Sequence, residues 1–340
     1  MVNEAMTGTH TQNPVYSRVT LALMEDTGWY RANYSVAQDL HWGYHLGCEF
    51  ATKSCGYWIQ SRRNMSKSIA PYCSSIKASS QYHQARTTCT ENRDAVALCN
   101  LDRYEKPIPK EYQYFQSLPH VDDLYLGHYG GTVELADYCP YSQEFEWKPG
   151  VQRAFSFNES VQSKRDSRCE FEENQPDEKS NAGLETYGLE SRCFQQEEQW
   201  TQQKCRLTRT YQHYGAGCYE YLCVNGRLYL QLMNGTLGRY PCFHRGQRIK
   251  IRKIYQTWLH QGTIVCPACS ELCSDCLPEI DSPYMVGDPV ISVPCSAPLS
   301  ISQCSPYFIL LLLWCIFTVT LAQGTNYELT DSHLPSVLIL

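Results

Sequence analysis

Nineteen cysteines in a chain of 340 residues set the tightest limit on how this polypeptide folds. Such a density belongs to an oxidising compartment, where disulfides add stability that a hydrophobic core alone does not supply. Cys315 lies inside an uninterrupted apolar run and is a poor pairing candidate; the remaining 18 permit nine disulfides. Sequence does not fix their connectivity, and partners outside this chain stay open. The densest stretch is CPACSELCSDC, which carries Cys266, Cys269, Cys273 and Cys276. Two C-x-x-C pairs can hold zinc, but zinc ribbons fold a longer arm over the ion than the three residues available here. We expect a disulfide cluster; free thiolates would instead mean a zinc-binding module.

Four N-x-[ST] sequons, at Asn33, Asn64, Asn158 and Asn234, agree with passage through the secretory pathway and are glycosylation candidates. Residues 1–20 nevertheless contain no apolar h-region and no small-residue cleavage site. The expectation is that Met1 is not the native start and that a signal peptide is missing from this chain. With 43% hydrophobic and 19% charged residues the chain is composed to fold. A net charge of −6 and the absence of a long basic run argue against nucleic acid as a partner.

Along the chain, Asn13-Pro14 followed by VYSRVTLALMEDTG predicts a helix over 13–28, with Asn13 as cap, Pro14 at the first position and Gly28 as the stop. Val15, Val19, Ala22 and Leu23 would form its apolar face. YEYLCVNGRLYLQL carries Asn225-Gly226 between two β-prone runs and predicts a hairpin. RIKIRKIY, Arg248 to Tyr255, reads as a half-buried strand with a solvated basic face rather than an anion-binding strip. FEENQPDEKSNAG, Phe171 to Gly183, reads as a solvated acidic loop without the ligand spacing of a calcium site.

Prolines at 278, 283, 289, 294, 298 and 306 predict an extended stalk over 277–306. YFILLLLWCIFTVTLA, residues 307–322, is free of charge. A spanning helix takes about 20 apolar residues, a length that Ile301 to Pro306 could complete. We expect membrane insertion through 307–322, by a transmembrane helix or as a GPI signal with Ser296 or Ala297 as the small site. Residues 323–340 are a short tail, and either anchor leaves the cysteine-rich part on the extracellular face.

No catalytic constellation is complete. None of the ten histidines is followed by Glu, so H-E-x-x-H is absent. His41-Trp-Gly-Tyr-His45 has the i, i+4 spacing, but Trp42 replaces the glutamate and Gly43 weakens a helix. We read it as a structural or surface pair. G-x-S-x-G and the glycine-rich nucleotide-binding motifs are absent as well.

NEAMTG, Asn3 to Gly8, places a methionine in a turn, where such a side chain is unusual. Glu4, Ala5, Met6, Thr7 and Gly8 match E-x-M-[TA]-[GP]. Asp26, Thr27, Gly28, Trp29 and Tyr30 match D-[TL]-G-[WF]-Y, and Trp42, Gly43, Gly47 and Cys48 match W-G-x-x-x-G-C. With EYQYFQSLP, YGGTVELADYCPYSQEF, GAGCYEYLC and CPAC, the stretch from about Asn3 to about Cys276 resembles the leishmanolysin-like metallopeptidases, peptidase family M8, which include invadolysin.

The resemblance implies an α+β fold. Residues 1–55 would be the Met-turn and C-terminal helix of a metzincin catalytic domain, and 56–276 a disulfide-rich, mostly β and irregular domain. It further implies that Met6 forms a hydrophobic base beneath a zinc site, with the H-E-x-x-H ligands and third histidine all upstream of Met1. In the complete enzyme zinc would polarise the scissile carbonyl of protein or peptide substrates and activate water, with the motif's glutamate moving the proton. The chain alone would hold no catalytic residue and no zinc ligand, and would be inactive. The rival expectation is a non-catalytic cell-surface adhesion or binding module.

Overall fold

Ser17, and not Asn13 or Pro14, starts the first helix. In the computed structural model, which describes residues 3–9, 14–76, 86–145, 166–210, 215–280, 286–293 and 295, the Ser17 hydroxyl accepts the Val19 N–H at 3.1 Å and caps α1, Arg18–Asp26. This corrects the start predicted at Asn13-Pro14. Val15 is drawn into a parallel bridge with Glu4, so the chain stays extended until the serine can satisfy a free N–H. Gly28 follows with φ +75°, the left-handed conformation of a C′ glycine. Two further helices, α2 (Cys48–Thr52) and α3 (Cys55–Asn64), follow. Ser54 caps α3, which buries Trp58 and Ile59.

Among the described residues, thirteen strands make up most of the remaining regular structure. β1 (Thr87–Cys89), β2 (Val96–Cys99) and β5 (Ser142–Glu144) form a three-stranded antiparallel sheet, and β3 (Leu101–Arg103) pairs with β4 (Tyr129–Gly131). An eight-stranded sheet is built from β6 (Ser191–Gln196), β7 (Thr201–Lys204), β8 (Leu207–Thr210), β9 (Ala216–Val224), β10 (Arg227–Leu232), β11 (Gly238–Cys242), β12 (Arg248–Tyr255) and β13 (Trp258–Val265). The β9–β10 hairpin turns at Asn225 and Gly226, both with positive φ, as the Asn-Gly pair requires.

Alternation writes the core. Leu228, Leu230 and Leu232 of β10 are fully buried, as are Ile249 and, within 1%, Ile251 of β12, and they meet Phe194, Trp200, Tyr219 and Ile264. Arg248 and Lys250 stand on the solvated face of β12, and Arg248 pairs with Glu197 at 2.7 Å. Gly262 of β13 makes room for the Trp200 indole, whose ring fills the position that a Cβ there would take. A second core gathers Ile59, Leu101, Phe115 and Leu118. The segment 171–183 is only partly the solvated loop predicted: Asn174 and Asn181 are buried. Asn174 bridges Asp166 and the Arg168 carbonyl, while Asn181 bonds both backbone groups of the following turn at Glu185.

Disulfides join these layers. Cys55 pairs with Cys139, Cys73 with Cys99, Cys89 with Cys193, Cys169 with Cys218, Cys223 with Cys273, Cys242 with Cys266 and Cys269 with Cys276. Cys193 and Cys218 face each other across β6 and β9, yet each bonds elsewhere. Cys193 donates its N–H to the Arg93 carbonyl, which marks the pair as the closer, non-hydrogen-bonded kind. Cys48 is an exposed free thiol, so the pairing of all 18 cysteines outside the apolar run is not realised in this chain.

Met1–Pro294 is one compact unit. Within the segment read as a stalk, Gly287 bridges to Lys250 of β12, and the Asp288 carboxylate accepts from Tyr240 and pairs with Lys253 at 2.7 Å. Residues 295–340 form a second unit. The apolar run at 307–322 lies outside the described residues. Among the described residues no helix is long and apolar enough to cross a membrane.

Candidate functional site

Residues 3–9 form a tight turn held against α1. Val15 N–H donates to the Asn3 carbonyl at 2.7 Å and Ala5 N–H to the Val15 carbonyl at 2.9 Å. Thr7 closes the turn by donating its N–H and its hydroxyl to the Glu4 carbonyl, at 3.1 and 2.9 Å. Met6, at the apex, is 60% exposed, and Leu135 lies against Gly8 on the flank. Of the predicted apolar face of α1, Val15 and Ala22 are half-buried, while Val19 and Leu23 are more than half exposed.

A cavity of about 1150 Å³ lies nearby, lined by His41, Trp42, Thr88, Glu91, Glu144 and Arg248 among others. His41 and His45 do not share a helix face. They sit in a turn in which Gly43 (φ +78°) and His45 (φ +60°) are left-handed, and Gly43 donates its N–H to the Glu91 carboxylate at 3.3 Å. Desolvation pushes the Glu91 carboxyl up to about 7. Burial does the same to Glu144, also to about 7, against the pull of Arg168; its Oε2 is buried without a partner.

Glu144 yields a pH prediction. Its folded-state value lies above its ordinary one, so its contribution to stability is complete below about pH 4.5 and is lost as pH rises through about 7. Glu144→Gln imitates the protonated form. The variant should gain in melting temperature relative to wild type as the buffer moves from about pH 5 to about pH 8. A difference that does not change with pH refutes the assignment.

The four cysteines of CPACSELCSDC each sit in a disulfide: Cys266 ties back to β11, Cys273 ties back to β9, and Cys269 and Cys276 close on each other. Asn33, Asn64 and Asn234 are exposed, and the Asn33 Oδ1 accepts the Ser35 N–H and hydroxyl within its own sequon. Asn158, His10, His213 and His333 lie outside the described residues. Among the described residues no group of three or more His, Cys, Asp or Glu is placed to hold a metal ion.

The long strings shared with one family decide the relationship. A family model, Peptidase_M8, described as leishmanolysin, matches residues 1–281. The chain belongs to the leishmanolysin family. The leishmanolysin-like peptidase of Caenorhabditis briggsae is 50% identical over 295 residues, covering 87% of this chain and 42% of the relative. That of Drosophila melanogaster is 50% identical over 272 residues, 80% of this chain and 37% of the relative. A leishmanolysin homolog from Crithidia fasciculata is 25% identical over 259 residues, 76% of this chain and 33% of the relative. The chain spans less than half the length of these relatives.

Leishmanolysins are zinc-dependent, and the described donors of this leishmanolysin chain do not fit that ion: its cluster cysteines are oxidised and its described histidines gather with no other donors into a group of three. Sequence reasoning also missed Glu91 and Glu144, and it read Glu4 only as part of a family string and not as a buried side chain. A glutamate in a polar stretch carries no mark of burial, and only the packing of distant loops reveals it.

Proposed function

We propose that this chain is part of a zinc metalloendopeptidase that hydrolyses peptide bonds in proteins at the extracellular face of a membrane. In this reading the turn from Glu4 to Gly8 is the Met-turn, and Met6 is a soft, polarisable floor for a zinc site whose ligands lie outside this chain. The observation that carries the proposal is the family match over residues 1–281 together with a solvent-facing Met6 at the apex of a rigidly held turn. We derive no catalytic step within this chain, because its described residues do not form the zinc ligand set. On this reading it is inactive alone.

The test compares the full-length protein with residues 1–306, both secreted, on casein. Cleavage by the full-length protein that a zinc chelator abolishes, with none by 1–306, is the expected result. Chelator-sensitive cleavage by 1–306 would refute inactivity, and an inert full-length protein would refute the peptidase. The uncovered apolar surface of Met6, Val19 and Leu23 favours one alternative, a cell-surface adhesion or binding module. An inert full-length protein that still binds cells would establish it.

A further inference from the structure

Glu4 stands out as a carboxylate where none is needed for solubility. It is 3% exposed, and no cation pairs with it among the described residues. A buried carboxylate is costly unless donors surround it, and here α1 supplies them to one oxygen, while Glu4 Oε2 is buried without a partner among the described residues. Glu4 Oε1 accepts the Thr20 hydroxyl and, at 3.4 Å, the Ser17 N–H, at the helix end where free N–H groups and the positive end of the dipole favour an anion. The carbonyl of the same residue closes the turn by accepting twice from Thr7. Glu4 therefore holds the turn with its backbone and the helix with its side chain, two residues before Met6.

We propose that Glu4 is a positioning residue: its carboxylate latches the turn that carries Met6 onto the N-terminus of α1 and so sets the height and orientation of Met6. The catalytic meaning of the latch rests on the Met-turn reading above; the latch itself does not. The bridge between Glu4 and Val15 is made by backbone and survives loss of the side chain. Without the carboxylate the turn stays attached but is free to tilt. A displacement of about 1 Å at a site that supports chemistry lowers turnover up to about a hundredfold.

The test uses the full-length protein with Glu4→Ala, Glu4→Gln and Thr20→Val. Gln keeps an oxygen acceptor for both donors, and Val removes one donor with little change of shape. Amide hydrogen exchange should quicken about tenfold in peptides covering 3–9 and 15–26 for Glu4→Ala. Thr20→Val should have a smaller effect, Glu4→Gln should largely restore protection, and the β9–β10 hairpin should be unchanged throughout. For Glu4→Ala, kcat on a peptide substrate should fall tenfold or more with KM and bound zinc little altered. Unchanged exchange in the turn overturns the latch. Faster exchange with unchanged kcat overturns the positioning role. A wild type without peptidase activity refutes the Met-turn reading instead, and the exchange data still decide the latch.

Discussion

Replacing Cys89 and Cys193 together by alanine should lower the unfolding free energy by about 2–5 kcal/mol and leave little folded protein at 37 °C. The two cysteines stand 104 residues apart and tie β1 of the small sheet to β6 of the large one. In the unfolded chain this bond removes the freedom of a long loop, a term worth about 4.7 kcal/mol for about 100 residues before neighbouring crosslinks reduce it. In the folded protein Cys193 is fully buried beside Val96, Tyr187 and Ala216, so cutting the bond also loosens the contact between the sheets. Replacing Cys269 and Cys276, seven residues apart, removes a far shorter loop and should cost about half as much. Denaturant unfolding of the two double variants measures the difference. Equal losses would show that loop length does not govern the effect here.

Gly262→Ala should destabilise the protein by about 3 kcal/mol, at the top of the range for overpacking. In an ordinary strand the same change would help slightly, because glycine gives up more conformational freedom on folding. Here the added methyl has no space. The ring of Trp200 occupies it, and that indole is 1% exposed and locked in the core of the eight-stranded sheet. Trp200→Leu should itself cost a few kcal/mol through the void it leaves. In its background, Gly262→Ala should become neutral or mildly stabilising, which gives a coupling of the size seen for touching residues, about 0.5–3 kcal/mol. A double-mutant cycle by thermal or denaturant unfolding decides it; additivity of the two losses would show that the ring is not the obstacle.

What the sequence made legible was set by local chemistry. Asn225-Gly226 names its own turn because few residues tolerate two successive positive φ values, and β12 shows itself through the alternation of Ile249 and Ile251 with Arg248 and Lys250. The family strings were readable for a similar reason, since they are contiguous. Facts that depend on distant segments meeting were not readable. Pro14 is well suited to begin a helix, but its neighbour Val15 is claimed by Glu4, and the helix waits for Ser17. Counting thiols could not show that Cys48 stays free, or that Cys193 joins Cys89 rather than Cys218 opposite it. The burial of Glu4 likewise involves partners 13 and 16 residues away along the chain, Ser17 and Thr20, and the charge of Arg168 that acts on buried Glu144 lies 24 residues on. No window of local sequence reports such neighbours.

The opposed positions of Cys193 and Cys218 carry a consequence for how this protein is made. As soon as β6 and β9 zip together, each thiol has the other as its nearest sulfur, at a strand pair where Cβ atoms approach to about 4.5–5.5 Å. The native partners, Cys89 and Cys169, arrive from elsewhere in the chain. Rapid oxidation therefore favours an incorrect crosslink that leaves both partners stranded. Escape requires a thiolate to attack that bond and hand the sulfur on, a reshuffling that takes minutes to hours without a catalyst. Maturation of this domain should thus be limited by correction of sulfur partners rather than by formation of its sheet, and yield should follow the supply of exchange catalyst in the cell that produces it.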